Sequence, residues 1–368
     1  MTRTLAITSG KGGVGKSNIS LNLALQLAAL GKRTCLFDAD FGTANVNILL
    51  GISPRYDIRD VIVQDKTLAD IMIGENKNLD ILPGSSGVEE MANLSPDRLK
   101  KLLGSLAALP DYDFLVVDTA AGISKNVISF CLAAGEVVLV ITHEPTSLTD
   151  AFALLKVLAA NGYQGTTKVV VNRCHDSSHA RITFATFKNA VSRHLKLKVA
   201  ALGLVLEDSK MVEAIRLQQP FLHKFPQSQT ARCFHMLASR LMENKDEIKG
   251  NGLDSFWRAT MEAMTGPLTI PSAPHKEVKE AESMALSGNS TWSTAEIVQE
   301  LKGIRQALEN LAGKALPEQQ AGVAPINRRQ EATEPVIKLD LSALLATSQS
   351  PGHVGPDQQD ERHGKTKY

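Results

Sequence analysis

Short apolar runs alternate with longer, mostly apolar segments along the first 250 residues of the chain. The short runs have the length and the aliphatic content of buried strands. Strands are predicted at residues 3–8, 34–37, 79–82, 114–117, 137–141, 169–171 and 201–205. Helices are predicted at residues 17–30, 96–109, 125–133, 147–160, 180–195 and 229–243. This alternation predicts an α/β fold, in which helices cover both faces of a mostly parallel, doubly wound sheet.

Beyond residue 250 the pattern changes, so the α/β domain is predicted to occupy residues 1–250. Residues 251–265 predict an amphipathic helix. Its apolar face carries Leu253, Phe256, Trp257, Met261 and Met264. The rest of the chain is polar and rich in proline, which predicts a largely disordered C-terminal tail. We divide it into a flexible linker at 266–292, a short amphipathic helix at 293–313 and a disordered segment at 314–368 with an apolar island at 336–345.

Composition narrows the class of protein. The chain has 368 residues, 43% of them apolar, and a formal net charge of +1. This balance gives no reason to expect a nucleic-acid partner. None of the four cysteines lies within three residues of another, so no C-x-x-C metal or redox pair exists. The sequence lacks a signal-peptide pattern and a run of 18 apolar residues, which predicts a cytoplasmic protein.

A phosphate-binding loop follows the first predicted strand. Residues 10–17 read Gly-Lys-Gly-Gly-Val-Gly-Lys-Ser and fit the pattern G-x-x-x-x-G-K-[ST]. In such a loop the backbone N–H groups wrap phosphate oxygens, Lys16 reaches the β and γ phosphates, and Ser17 ligates Mg²⁺. ATP and Mg²⁺ are therefore the predicted cofactors of a P-loop NTPase fold. The predicted nucleotide-binding residues of this segment are Gly10, Lys11, Gly12, Gly13, Val14, Gly15, Lys16, Ser17 and Asn18.

Three segments together resemble the MinD/ParA ATPases, which carry a deviant Walker A motif. They are residues 11–17, residues 38–51 and residues 116–122. In that family the lysine that matches Lys11 crosses to the other subunit of an ATP sandwich dimer and stabilises transition-state charge there. The resemblance therefore implies an ATP hydrolase that forms a homodimer in the ATP state. Its catalytic residues would be Lys11, Lys16 and Asp40.

The resemblance also implies roles for side chains at strand ends. Asp40 is expected to position the attacking water, and Asp38 to assist through the Mg²⁺ shell. Asp118 ends the Walker B strand, so the expected metal ligands are Ser17, Asp40 and Asp118. Each aspartate could instead cap a helix or occupy a solvated turn, but their order after the phosphate loop favours the functional interpretation.

Two further strand ends complete the predicted nucleotide site. Gly122 is expected near the γ phosphate, as the switch II glycine of the family. Asn172, with Arg173 beside it, is expected to hydrogen-bond the adenine edge; the alternative is an ordinary turn residue at a strand end.

Residues 118–130 and 144–156 resemble the flagellar-number regulators FlhG and FleN, also called YlxH. This branch implies a switch that dimerises on Mg-ATP, associates with the inner face of the cell membrane and regulates flagellar placement and number. A GTPase of the FlhF kind would be its partner. Two alternatives stay open: a MinD-type division-site regulator, and a ParA-type partition or cargo-positioning ATPase that binds DNA.

The predicted helix at 251–265 also has two interpretations. Its apolar face could contact the membrane surface through Trp257 and its neighbours, as C-terminal helices of MinD-type ATPases do. On this interpretation a Trp257→Glu change abolishes membrane binding and leaves ATP hydrolysis intact. The other interpretation is that the same face packs on the ATPase core.

Overall fold

The computed structural model describes residues 1–42, 45–85, 95–195, 197–243 and 252–271. These residues belong to one compact unit. Its centre is an eight-stranded sheet with the order β3-β4-β2-β5-β1-β6-β7-β8. The strands are β1 (Arg3–Ser9), β2 (Thr34–Ala39), β3 (Ile73–Asn76), β4 (Leu79–Leu82), β5 (Phe114–Ala121), β6 (Glu136–Ile141), β7 (Thr167–Cys174) and β8 (Val199–Leu206).

Helices connect the strands. The first half of the chain forms α1 (Lys16–Ala29), α2 (Val46–Leu50), α3 (Ile58–Val63), α4 (Leu68–Ile71), α5 (Pro96–Ala107) and α6 (Lys125–Ala133). The second half forms α7 (Pro145–Ala160), α8 (Ser177–His194), α9 (Ser209–Arg216), α10 (Phe221–Lys224), α11 (Gln229–Glu243) and α12 (Gly252–Thr265). None of the described helices combines the length and the low polarity that a membrane span needs.

The predicted mostly parallel, doubly wound sheet is confirmed. Every strand pair is parallel except β3–β4, which forms an antiparallel hairpin at the edge. The sequence analysis did not find β3. Its residues alternate between half-buried and exposed and include Gly74, Glu75 and Asn76, so it lacks the apolar run that marks the other strands.

Side chains of alternate residues in the central strands lie in two apolar cores, one on each face of the sheet. In β2, Cys35 and Phe37 belong to one core, while Leu36 belongs to the other. This is the two-residue period of a strand that is buried on both sides. The parallel register then brings the carboxyl ends of β1, β2 and β5 together, because these three strands are neighbours in the sheet.

Helix α12 belongs to the core, as one of the two interpretations of the sequence expects. It packs against α5 and α6. Leu253, Phe256 and Trp257 are buried, the last two almost completely, and they join the same core as Phe37. Met261 and Met264 are partly buried against that core. The face predicted to contact lipid is therefore covered by protein in this conformation.

The chain remains attached to the domain just after α12. Asn161, at the end of α7, donates from its side-chain amide to the Thr269 carbonyl at 2.8 Å and accepts from the Thr269 N–H at 2.9 Å. The linker predicted from residue 266 is thus held to the domain at Thr269. The predicted segments at 293–313, 314–368 and 336–345, and the linker beyond residue 271, lie outside the described residues.

Candidate active site

The phosphate loop joins β1 to α1 at the carboxyl end of the sheet. Gly13 and Gly15 adopt φ angles of 76° and 92°, which favour glycine. Gly10 is required for a different reason, because a Cβ there would lie 2.1 Å from the Asp150 carbonyl carbon in α7. The loop therefore packs directly on the backbone of α7. At its other end, α1 begins at Lys16 with no acidic residue in its first turn, which suits an anion at the helix N-terminus.

Lys16 and the Walker B carboxylate meet beneath the loop. Both are buried, and the Lys16 ammonium lies 3.7 Å from an Asp118 carboxylate oxygen. Ser20, one turn beyond Lys16, donates its hydroxyl to the same oxygen at 2.8 Å. Burial raises the pKa of Asp118, while Lys16 and the Ser17 and Ser20 hydroxyls act in the opposite direction. The two predicted ligands Ser17 and Asp118 are therefore adjacent.

Asp38 and Asp40 lie beside Asp118 because β2 pairs with β5 in register. Asp38 is the direct neighbour of Asp118 across the two strands. Its carboxylate accepts the backbone N–H groups of Asn45 and Val46, at 3.0 and 3.1 Å, at the start of α2. Asp38 therefore anchors the first turn of α2. Asp40 is also buried, and its carboxylate accepts the Gly42 N–H at 3.3 Å.

The buried carboxylate of Asp38 predicts a pH-dependent stability for the metal-free protein. Its pKa is raised from 3.8 to about 8, first by burial and then by repulsion from Asp118. The folded protein therefore keeps a proton that the unfolded chain loses, and its free energy of unfolding falls as the pH rises between about 4 and about 8. One such group gives a slope of at most about 1.4 kcal/mol per pH unit.

The measurement is urea unfolding of the wild type and Asp38→Asn, in a chelator, across this pH window. Asn keeps an oxygen for the N–H groups of α2 and cannot ionise, so the variant should show a shallower decline with pH. Equal slopes in the two proteins would contradict the raised pKa of Asp38.

Lys11 is held within its own subunit. Its ammonium donates to a Glu144 carboxylate oxygen at 2.5 Å and to the Thr146 hydroxyl at 2.8 Å. Both acceptors lie at the start of α7, the helix whose backbone Gly10 approaches at Asp150. The Ser9 hydroxyl donates to the Lys11 carbonyl at 2.9 Å, which fixes the backbone of the loop.

The remaining predicted nucleotide residues surround the loop. Gly122, with a φ of 92°, donates its N–H to the Ser9 carbonyl at 2.9 Å, so the end of β5 is tied to the start of the loop. Asn172 is buried and donates its amide to the Val14 carbonyl at 2.7 Å. In this conformation Asn172 thus supports the phosphate loop. Arg173 is exposed, with a φ of 55°.

The residues present fit Mg²⁺. The second carboxylate oxygen of Asp118 is buried and has no hydrogen-bond partner among the described residues. Asp38, Asp40 and Ser17 lie close to Asp118, which gives the oxygen-rich surroundings that Mg²⁺ prefers. A cation here would also relieve the repulsion that raises the pKa of Asp38.

Sequence reasoning missed three contributors to this site. Ser20 faces Asp118 because it follows Lys16 by one helical turn, a spacing that could have identified it. Glu144 and Thr146 are more than 130 residues from Lys11 along the chain. No local pattern links them, so only the packing of α7 on the loop reveals their role.

The chain is similar to several proteins of known sequence or structure. The family profile described as "ParA: NUBPL iron-transfer P-loop NTPase" matches residues 1–242. The antiactivator FleN of Pseudomonas aeruginosa is 39% identical over 240 residues, which are 65% of this chain and 86% of FleN. The flagellum site-determining protein YlxH of Helicobacter pylori is 33% identical over 265 residues, which are 70% of this chain and 89% of YlxH.

The fold is also similar to that of a solved structure. The septum site-determining protein MinD of Pyrococcus horikoshii, in complex with Mg-ADP, matches with a TM-score of 0.54 and 28% sequence identity. The match covers 67% of this chain and 97% of that MinD chain.

Proposed function

This chain belongs to the ParA/MinD family of P-loop NTPases, close to the flagellar-number regulators, and on that premise we propose that it is a Mg-ATP-dependent dimer switch that controls flagellar placement and number. The observation that carries the proposal is that Asp118 lies beside both Lys16 and Asp40, while Lys11 in the same phosphate loop is partly exposed. The flagellar output rests on the similarity to FleN and YlxH.

Within one subunit the site holds and orients the nucleotide. The loop N–H groups and the α1 N-terminus bind the phosphates, and Lys16 neutralises the charge at the β and γ positions. Asp40, buried at the end of β2, orients the attacking water. Ser17, Asp40 and Asp118 would hold Mg²⁺, which would supply neutralisation of phosphate charge.

Turnover needs the second subunit. The Lys11 side chain is 36% exposed. In the proposed dimer it leaves Glu144 and reaches a phosphate of the partner subunit's nucleotide. A cation supplied across a dimer interface stabilises the charge that develops on the transferred phosphoryl group. ATP hydrolysis then separates the subunits, because the shared triphosphate is lost.

We propose that the ATP dimer associates with the inner face of the cell membrane by releasing α12. Since Leu253, Phe256 and Trp257 are buried, they must leave the core before they can contact lipid. Exposure to water would cost about 6 kcal/mol for the three side chains, but transfer from core to lipid exchanges one apolar environment for another. The buried Trp257 indole N–H makes no hydrogen bond to any described residue, which favours reversible docking.

An aromatic cluster connects α12 to the nucleotide site. Trp257 contacts Phe37 edge to face, with ring centroids 5.9 Å apart, and Phe37 directly precedes Asp38 in β2. Phe41, just after Asp40, lies 6.2 Å from Phe37 and 6.4 Å from Phe130. A rearrangement of residues 38–41 on ATP binding would therefore alter the packing that holds α12.

The test is lipid quenching of Trp257 fluorescence. With Trp292→Phe as the background, Trp257 is the sole tryptophan. Brominated-lipid vesicles should quench Trp257 fluorescence in the presence of a non-hydrolysable ATP analogue, but not in the presence of ADP. Light scattering should detect a dimer with the ATP analogue and a monomer with ADP. Dimer formation without quenching would contradict the proposed membrane association. The absence of a dimer with the ATP analogue would contradict the proposed ATP-dependent dimerisation.

A DNA-binding measurement in the same buffer tests the alternative of a ParA-type partition ATPase. That alternative predicts salt-dependent binding to DNA of any sequence. A division-site role is distinguished by deleting the gene: altered flagellar number with normal septa supports the present proposal, and misplaced septa contradict it. Iron transfer is not part of the proposal, because none of the four cysteines lies close to another in sequence.

A further inference from the structure

We propose that His143, His175 and His179, here called the histidine cluster, bind one divalent transition metal ion of the kind that prefers imidazole ligands, such as Zn²⁺ or Ni²⁺. The cluster belongs to β6, β7 and the segments that follow them, whereas the carboxylates assigned to Mg²⁺ lie on β2 and β5. The ion would tie together the loops that follow β6 and β7. The inference is independent of the proposed switch, because it requires neither ATP nor a second subunit.

The sheet topology brings the three side chains together. His143 lies two residues beyond β6 and His175 one residue beyond β7, and these strands are parallel neighbours about 5 Å apart. His179 is in the first turn of α8, four residues after His175. Asp176, the N-cap of α8, accepts the His179 backbone N–H at 2.8 Å, which fixes the turn between the last two histidines.

The spacing of the three rings suits a common ion. Ring centroids are 4.7 Å apart for His143 and His179, 5.4 Å for His175 and His179, and 6.3 Å for His143 and His175. In a tetrahedral site, metal–nitrogen bonds of about 2.0–2.1 Å place two imidazole centroids roughly 5 Å apart. The observed separations are close to that value. Packing in an apolar core does not explain them, because His143 and His175 are exposed.

The candidate site is empty and open as the side chains stand. The described part of the chain contains no group of three ligand side chains already in place around an ion. The His175 and His179 rings are nearly parallel, with an interplanar angle of 15°, whereas ligands of one ion approach it from different directions. Closure needs rotation of the exposed His143 and His175 side chains between staggered rotamers, which occurs within ps–ns and leaves the backbone in place.

Two ring nitrogens point to metal binding rather than to a chance grouping. The Nδ1 atom of His179 is buried and has no hydrogen-bond partner among the described residues, which is unfavourable for a polar atom. In the closed site this nitrogen gains the ion as its partner. The Nδ1 atom of His175 lies 3.6 Å from a Glu207 carboxylate oxygen, just beyond β8. A carboxylate beside one ring nitrogen is the usual outer support of a histidine that binds metal through the other.

The charges around the histidine cluster favour a cation over an anion. Asp176 and Glu207 are both exposed carboxylates beside the cluster. The His179 backbone N–H is the main cause that lowers the pKa of Asp176, so this carboxyl group is ionised near neutral pH. Arg173 adds one positive charge to the region, since it acts on Glu144. The two carboxylates outnumber it.

The expected consequence is a more rigid connection beside the nucleotide site. Asn172, three residues before His175, supports the phosphate loop through the Val14 carbonyl. An ion held between the loops after β6 and β7 would fix the end of β7 and so maintain this contact. Because the ion binds the folded chain, the melting temperature should rise once its concentration exceeds the dissociation constant.

The experiment uses the full chain without an affinity tag and without nucleotide, in excess Mg²⁺ so that Zn²⁺ does not enter the carboxylate site. Calorimetric titration with Zn²⁺ gives the stoichiometry and the dissociation constant of wild type, His143→Ala, His175→Ala and His223→Ala. The last variant is the matched control, because His223 is also an exposed histidine beside one carboxylate, that of Glu75 at 3.7 Å. Thermal unfolding with and without Zn²⁺ is followed on the same proteins.

Wild type should bind one Zn²⁺ per subunit and melt at a higher temperature with it. His143→Ala and His175→Ala should each weaken binding at least about 100-fold, since the loss of an outer partner of a ligand already costs about 10–100-fold. His223→Ala should match wild type. Both cluster residues are exposed, so neither variant should unfold the domain. Equal binding by wild type and His175→Ala, or no binding by wild type, would overturn the proposal and leave the ATP switch untouched.

Discussion

Replacing Trp257 by alanine should lower the free energy of unfolding of the domain by about 3–5 kcal/mol, the usual cost of emptying a buried aromatic site. Trp257 is 1% exposed and contacts Phe37 and Phe256, with ring centroids 5.9 and 4.6 Å away. Since folded domains are stable by about 5–15 kcal/mol, this loss is a large fraction of the total. The melting temperature should fall by roughly 10 °C.

Circular dichroism during urea and thermal unfolding measures the effect. Arg258→Ala is the matched control, because Arg258 is the next residue in α12 and is exposed; its cost should stay within about 0.5 kcal/mol. A Trp257→Ala cost equal to that of the control would mean that α12 is undocked in solution even without nucleotide.

The same burial corrects the expectation that Trp257→Glu leaves ATP hydrolysis intact. A carboxylate at this position would be buried beside the Phe37 and Phe256 rings, and burial of a charge among apolar side chains is strongly unfavourable. The variant should unfold or lose its fold around Phe37, and hydrolysis should fail with it. Reduced membrane binding in Trp257→Glu would therefore say nothing about lipid contact.

Replacing Lys16 by alanine should weaken ATP binding by roughly 100-fold or more, whereas Asp40→Ala should bind ATP, pair and lose turnover by at least about 100-fold. Lys16 is the buried cation beneath the loop, and its ammonium lies 3.7 Å from Asp118. Without Lys16, no positive charge of the loop's buried side neutralises the phosphates of ATP. Asp40 lies at the end of β2 beside the site, where its assigned task is to orient water.

The measurements are equilibrium binding of a fluorescent ATP analogue and steady-state phosphate release at several protein concentrations. Lys11→Ala is the matched control in the same loop. It should bind ATP with the affinity of a single wild-type subunit, and its specific activity should not increase with protein concentration. Normal turnover in Asp40→Ala would refute its role. Unchanged binding in Lys16→Ala would refute the phosphate site itself.

The fold and the phosphate loop follow from local sequence. Seven of the eight strands were predicted, because strands buried on both faces are continuous apolar runs. The phosphate loop is predictable because its motif is local. Gly13 and Gly15 adopt positive φ angles, and Lys16 directly follows Gly15. The short β3 escaped prediction, since an edge strand with polar, half-exposed residues has no apolar signature.

The sequence also predicted a role for Asp38, Asp40 and Asp118, but it left their individual contacts undecided. The sequence predicted strands that end just before Asp38 and Asp118. In the structure β5 continues to Ala121, and the parallel register places Asp38 and Asp118 side by side within the sheet. That Asp38 anchors the N-terminus of α2 depends on how residues 39–46 fold back over the strand, which no spacing rule supplies. Asn172 likewise contacts the Val14 carbonyl only because β7 and the loop converge.

The sequence by itself thus determined the α/β class, the phosphate loop and the order of the acidic strand ends, because each depends on residues close together in the chain. Tertiary structure alone decided two questions. An apolar helical face looks the same whether lipid or protein covers it, and only the packing of α12 on α5 and α6 shows that protein does in this conformation. The bond from Lys11 to Glu144 joins residues 133 positions apart, and it exists because Gly10 lets the loop meet α7.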